Sequence, residues 1–116
     1  MNVEEIRMYC LKKKRVNESF PFDDTTLVFK VVDKMFALIN LDENHSMNLK
    51  CDPEKAIILR EHYDFVLPGY HMNKKHWNTI ILDERISGNL LMELINDSYN
   101  LVVDKLPKKI REELTG

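Results

Sequence analysis

Residues 26–51 read as three strands in a row, with turns between them too short to hold a helix. A parallel crossover needs a dozen or more residues, so this run confines the chain to folds built on an antiparallel sheet. Thr26–Val32 is rich in β-branched and aromatic residues. Asp33-Lys34 is a two-residue break that predicts a tight hairpin into Met35–Leu41, without the glycine that such turns favour. The stretch MFALINL is apolar on both faces, which places it centrally. After a turn at Asp42–His45, Ser46–Cys51 alternates: Met47, Leu49 and Cys51 face one way, and Ser46, Asn48 and Lys50 the other. That pattern puts one face on a core and one in water.

Helices flank this run. Asn2 and Glu5 are spaced as an N-cap with its reciprocal acid, and Val3, Ile6, Cys10 and Leu11 follow helical spacing over residues 2–14. Lys12–Arg15 then fall in the last turn, where cations complement the helix dipole. Asp52-Pro53 starts a second helix, with Ala56, Ile57, Leu59, Arg60 and Tyr63 along its packing stripe. Phe65–Leu67 is a short strand, Pro68-Gly69 a turn, and His76–Leu82 a further strand. Ser87–Lys105 forms the longest helix, with Leu90, Leu91, Leu94, Ile95, Leu101 and Val102 inward, and Pro107 opens a short terminal helix over Lys108–Leu114. The order α-β-β-β-α-β-β-α lacks strict βαβ alternation. It predicts an α+β fold, a two-layer α/β sandwich with an antiparallel sheet, as one domain over residues 1–116.

Charge and residue types narrow the function. With 17 Lys+Arg against 19 Asp+Glu, the net charge of -2 excludes a histone-like basic domain and a polyacidic tail. No apolar run is long enough to span a bilayer, and the first residues carry acids where a signal peptide carries cations. A cytoplasmic, monomeric protein without membrane contact is expected. Cys10 and Cys51 form no C-x-x-C and read as reduced core thiols. His71 and His76 are five apart, not the spacing of a helical zinc pair, so no metal site is expected. Asp23-Asp24 and Asp42-Glu43 fall in turns, where aspartate bonds the local backbone. With three glycines there is no phosphate loop. The chain reads as non-catalytic and without a cofactor.

The distinctive stretch is PGYHMNKKHWNTIIL, residues 68–82. It has no acid, sets Lys74 and Lys75 among Tyr70, His71, His76 and Trp77, and holds the only tryptophan. Residues 21–67 before it carry five cations and nine acids, so positive charge is segregated. Two readings fit. The loop presents cations to phosphates and aromatics to bases, or Trp77 and Tyr70 are core and Lys74-Lys75 the solvated tip of a loop.

Over FPFDDTTLVFKV (residues 20–31), KMFALINL (34–41), NLKCDPEKAIILRE (48–61) and the 68–82 block, with LPKKIREEL at 106–114, the chain resembles the MmcQ/YjbR family of small bacterial proteins. The resemblance implies a two-layer domain with an antiparallel sheet, similar to type III secretion chaperones. It also implies DNA binding through a "double wing", with Tyr70, His71, Asn73, Lys74, Lys75, His76 and Trp77 as the nucleic-acid site. No catalytic residue comes with it. Lys12, Lys13, Lys14 and Arg15 form the supporting basic patch, and together with Lys108–Arg111 they would have to lie near Lys74-Lys75. The alternative implied by the chaperone likeness is a protein-interaction module whose partner docks on a sheet face or edge. A third reading makes His71, His76 and Trp77 a small-molecule pocket.

Overall fold

The computed structural model describes residues 1–42, 44–69 and 72–115. Helix α1 (Val3–Leu11) starts as its sequence predicts. Asn2 accepts from the Glu5 N–H at 2.8 Å, and the Glu5 carboxylate accepts from the Asn2 N–H at 3.0 Å. The box satisfies two amides that the first turn leaves unpaired. Ile6 and Cys10 are its buried residues. The helix stops at Leu11, so Lys12–Arg15 form the following turn and not the last turn of the helix. Arg15 takes a left-handed φ of 61° there and leads into strand β1 (Val16–Ser19), which the sequence patterns leave unassigned.

The remaining elements are β2 (Thr26–Val31), β3 (Lys34–Asn40), β4 (Ser46–Lys50), α2 (Pro53–His62), β5 (Val66–Pro68), β6 (Trp77–Ile81), α3 (Gly88–Val103) and α4 (Lys108–Thr115). The strands form one sheet in the order β1-β2-β3-β4-β6-β5, every neighbouring pair antiparallel. The fold is α+β with an antiparallel sheet, and β1 precedes the three strands expected ahead of α2. No helix among the described residues is long and apolar enough to cross a membrane.

The β2–β3 turn sits one residue earlier than its sequence suggests. Val32 and Asp33 occupy it, with φ of 49° and 65°. Two left-handed central residues match the twist of a hairpin, but a β-branched side chain is a poor occupant of that region. Val32→Asn combined with Asp33→Gly, the residue pair such turns favour, is expected to raise the melting temperature by about 4 °C, from about 1 kcal/mol of relieved strain. A thermal melt followed by circular dichroism checks this.

One sheet face carries the main core. Helix α3 lies against β3 and β4, α1 beside β1, and α2 against β5 and β6. Phe29, Phe36, Ile39, Met47, Ile80 and Ile95 are fully enclosed between the layers. On α2, Ala56 and Leu59 are buried while Ile57 and Ile58 are exposed, so Ile57 is not part of a packing stripe. The main strand contacts of this helix are with β5 and β6, at one side of the sheet, and one narrow side of it is covered.

A bulge shapes the centre. Phe29 pairs with Ala37 but Lys30 pairs with Met35, which leaves Phe36 extra on β3. The ring of Phe36 enters the core and meets Tyr99 edge-on at 5.4 Å. The β3–β4 register, with Ala37 opposite Leu49, would bring Phe36 opposite Lys50. At that rung the Ser98 hydroxyl intervenes: its Oγ accepts from the Lys50 N–H at 2.8 Å and donates to the Phe36 carbonyl at 2.5 Å. Cys10 and Cys51 are both free and buried. Burial pushes the Cys10 thiol up to about 12, and moves Cys51 in the same direction.

Candidate nucleic-acid interface

The segment joining β5 to β6 is tied at both flanks. The Gly69 N–H donates to the Trp77 carbonyl at 3.0 Å, and a Cβ at Gly69 would stand 2.9 Å from Trp77 Cβ, so the two backbones close only on glycine. The Asn73 side chain accepts from the Lys75 N–H at 2.9 Å, and its carbonyl accepts from the N–H groups of His76 and Trp77. The Lys74 carbonyl accepts from Arg60, which also donates to Asn78 at 2.9 Å. Asn78 is 1% exposed and donates in turn to the Ala56 carbonyl at 3.4 Å, so α2 clamps the loop.

On this frame Asn73, Lys74 and Lys75 face solvent and His76 is half-buried. Trp77 is 7% exposed and packs with Val28 and Leu38, flanked by Met35 and Met72. Its ring offers no face for a base to stack on; it anchors the loop to the sheet. Tyr70 and His71 lie outside the described residues, as does Glu43 of the Asp42-Glu43 pair.

Among the described residues, the second sheet face carries no helix. Strand register assigns its residues: Lys30 stands between Asn17 and Met35, Lys50 across from Trp77, and Asn48 between Leu38 and Thr79. Thr79 donates to Asn48 at 2.6 Å. No strand residue directed to this face is acidic. Its cations gather at one end, toward the ends of β2 and β4 and the β5–β6 loop: Lys30, Lys50, Lys74 and Lys75; Lys34, paired with Val31, falls on the helix-covered side, and Asp33 sits in the hairpin turn. Burial, and then nearby Lys105, push the Lys50 ammonium below its usual pKa.

The run at residues 12–15 lies at the same end but beside β1. Four strand spacings separate it from β6, about 19 Å. Lys13 is drawn inward: it bonds Asn96 and lies over the rings of Tyr9 and Tyr99 at 4.9 and 5.2 Å, and burial lowers its pKa. Arg15 pairs with Glu113 at 3.3 Å, and Lys108 stands 4.0 Å from Glu112. Lys12 and Lys14 are exposed. Lys12–Arg15 thus lie on the β1 side of the β2–β3 hairpin, whose Val32 N–H donates to the Arg15 carbonyl at 3.4 Å, and not beside Lys74-Lys75.

A groove of about 540 Å³ occupies the other end of the open face, and the sequence reading missed it. Leu38 and Met72 line it with Asn40, Ser46 and Asn48, and Phe22 stands at its rim. Phe22 is 63% exposed. Asp23, as expected of a turn aspartate, accepts from the N–H groups of Thr25 and Thr26 at 2.9 and 2.7 Å. Those bonds hold its carboxyl below the usual range.

Comparison with known proteins places this geometry among relatives. A family model described as YjbR matches residues 11–101. The YbdF protein of Escherichia coli O157:H7 is 43% identical over 107 residues, covering 91% of this chain and 88% of its own length. The YjbR protein of E. coli K12 is 34% identical over 115 residues, with 98% of each chain covered. Both are uncharacterised proteins. Among solved structures, Deinococcus radiodurans DR2400, a DUF419 domain, superposes with a TM-score of 0.88 at 41% identity, covering 98% of this chain and 88% of that one. A Pseudomonas syringae protein superposes at 0.76 and 30% identity, covering 87% and 98%.

Proposed function

Because the chain belongs to the YjbR family, we propose that it is a non-catalytic DNA-binding protein that takes backbone phosphates on the lysine end of its open sheet face. One observation carries the reading: a six-stranded face without an acidic strand residue ends in Lys30, Lys50, Lys74 and Lys75. Local charge decides phosphate contact, so a net charge of -2 does not oppose it. Lys74 and Lys75 stand on the loop that Asn73 and Arg60 tie down at that end and make the primary contacts, while Trp77 fixes the loop from beneath.

Three neutralised phosphates give a logarithmic salt slope of about -2.7 on duplex DNA and about -2.1 on a single strand, or about a 40-fold and about an 18-fold loss of affinity between about 50 and 200 mM salt. Lys74→Glu with Lys75→Glu is expected to weaken binding by about 100-fold at low salt and to flatten that slope to about -1, with the fold intact. Fluorescence anisotropy with labelled single-stranded and duplex DNA measures both. A double variant that binds as its parent does would overturn the assignment.

A protein-interaction module is the second reading. Ile57 and Ile58, adjacent and exposed on α2, favour it. Absence of DNA binding at low salt would leave this reading standing.

A further inference from the structure

The groove beside Phe22 has a chemistry of its own. Resting on the DNA-binding reading, we propose that it receives one unstacked base, so that the ligand is single-stranded DNA rather than duplex. Its polar groups are spent on one side only. Asn48 Oδ1 accepts from Thr79, and Asn40 Oδ1 accepts from the Asp42 N–H at 2.9 Å. Both amide NH₂ groups are left, among the described residues, without a protein acceptor, and the Ser46 hydroxyl lies between their strands' ends. Leu38 and Met72 supply apolar surface, and the exposed Phe22 ring supplies a stacking face. Flat apolar faces with an edge rich in acceptors describe a nucleobase.

Spacing and charge set its orientation. Asn48 and Lys50 share a face two residues apart, about 7 Å along β4. That is about the reach from a phosphate to the base of its own nucleotide. Phosphates therefore meet the lysine end and the base meets the amides. Asp42, at the far rim, repels phosphate and accepts from exocyclic amines. In a duplex the base edges are paired and the faces stacked, so the groove is open only to an unpaired strand.

Anisotropy with three labelled ligands of about 12 units tests this: a single strand, its duplex, and a strand of abasic sugar-phosphate units. The intact strand is expected to bind about 10-fold tighter than the abasic one, and tighter than the duplex. Phe22→Ala removes that preference and leaves abasic binding unchanged, and Phe22→Tyr keeps it. Equal binding of intact and abasic strands, tighter duplex binding, or a preference that survives Phe22→Ala would overturn the base site while leaving phosphate contact in place. No binding of any ligand at about 50 mM salt would remove both readings.

Discussion

Trp77→Ala is expected to lower the melting temperature by about 12–20 °C. The ring is the largest member of a small cluster with Val28 and Leu38, on a face with no helix to close over a cavity. Removing a buried tryptophan side chain costs about 3–5 kcal/mol. For a chain of this size each kcal/mol corresponds to about 4 °C. Trp77→Phe keeps most of the apolar contact and is expected to lose about a third as much. Circular dichroism melts of the two variants make the comparison. The same pair separates anchoring from base contact. Anchoring predicts that DNA affinity follows stability through the pair. Loss of affinity in a phenylalanine variant that melts close to the parent would give the indole a direct role.

Ser98→Ala should have the second-largest effect, through polar groups rather than volume. The hydroxyl is fully buried and serves the Lys50 N–H and the Phe36 carbonyl at once. Both belong to a rung that the extra residue in β3 displaces. A methyl group satisfies neither. Each buried backbone group left unpaired costs about 1–3 kcal/mol; at the lower part of that range, about 1–2 kcal/mol for each of the two, the expected loss is about 2–4 kcal/mol, or about 8–16 °C. Hydrogen exchange locates the damage: the Lys50 amide should exchange faster in the variant by a factor larger than the global destabilisation accounts for. A melt within 2–3 °C of the parent would mean that the rung tolerates opening.

These two positions show what the sequence displays and what it hides. Signals within one turn were legible: the Asn2–Glu5 box, the Asp52-Pro53 start of α2, and the alternation that sends Ser46, Asn48 and Lys50 away from the core. Strand β1 was not, because four residues of Val-Asn-Glu-Ser give no apolar alternation; it is held by pairing with β2 and by Glu18 reaching Arg7 on α1. The hairpin turn moved onto Val32 because the bulge at Phe36 sets the ladder, and tertiary pairing overrode turn preference. Ile57 has the same spacing whether its side is covered or not. Ser98 reads as a polar interruption in an apolar helix until the strands beneath it are known.

The candidate site divides the same way. Lys74-Lys75 announced itself as contiguous charge. The face behind it comes from separate strands and exists only once β6 inserts between β4 and β5. Phe22, Asn40 and Asn48 are far apart in the chain, and no local pattern joins them.

The sheet's outermost strands carry a consequence for how another molecule can approach. Strand β1 has four residues and β5 three, the last of them Pro68, which has no N–H to give. A visiting chain that tried to extend the sheet would find a few rungs on one side and fewer on the other, and the same shortness disarms the edges as templates for self-association. The open face, by contrast, offers a broad plane of side chains running across the strands.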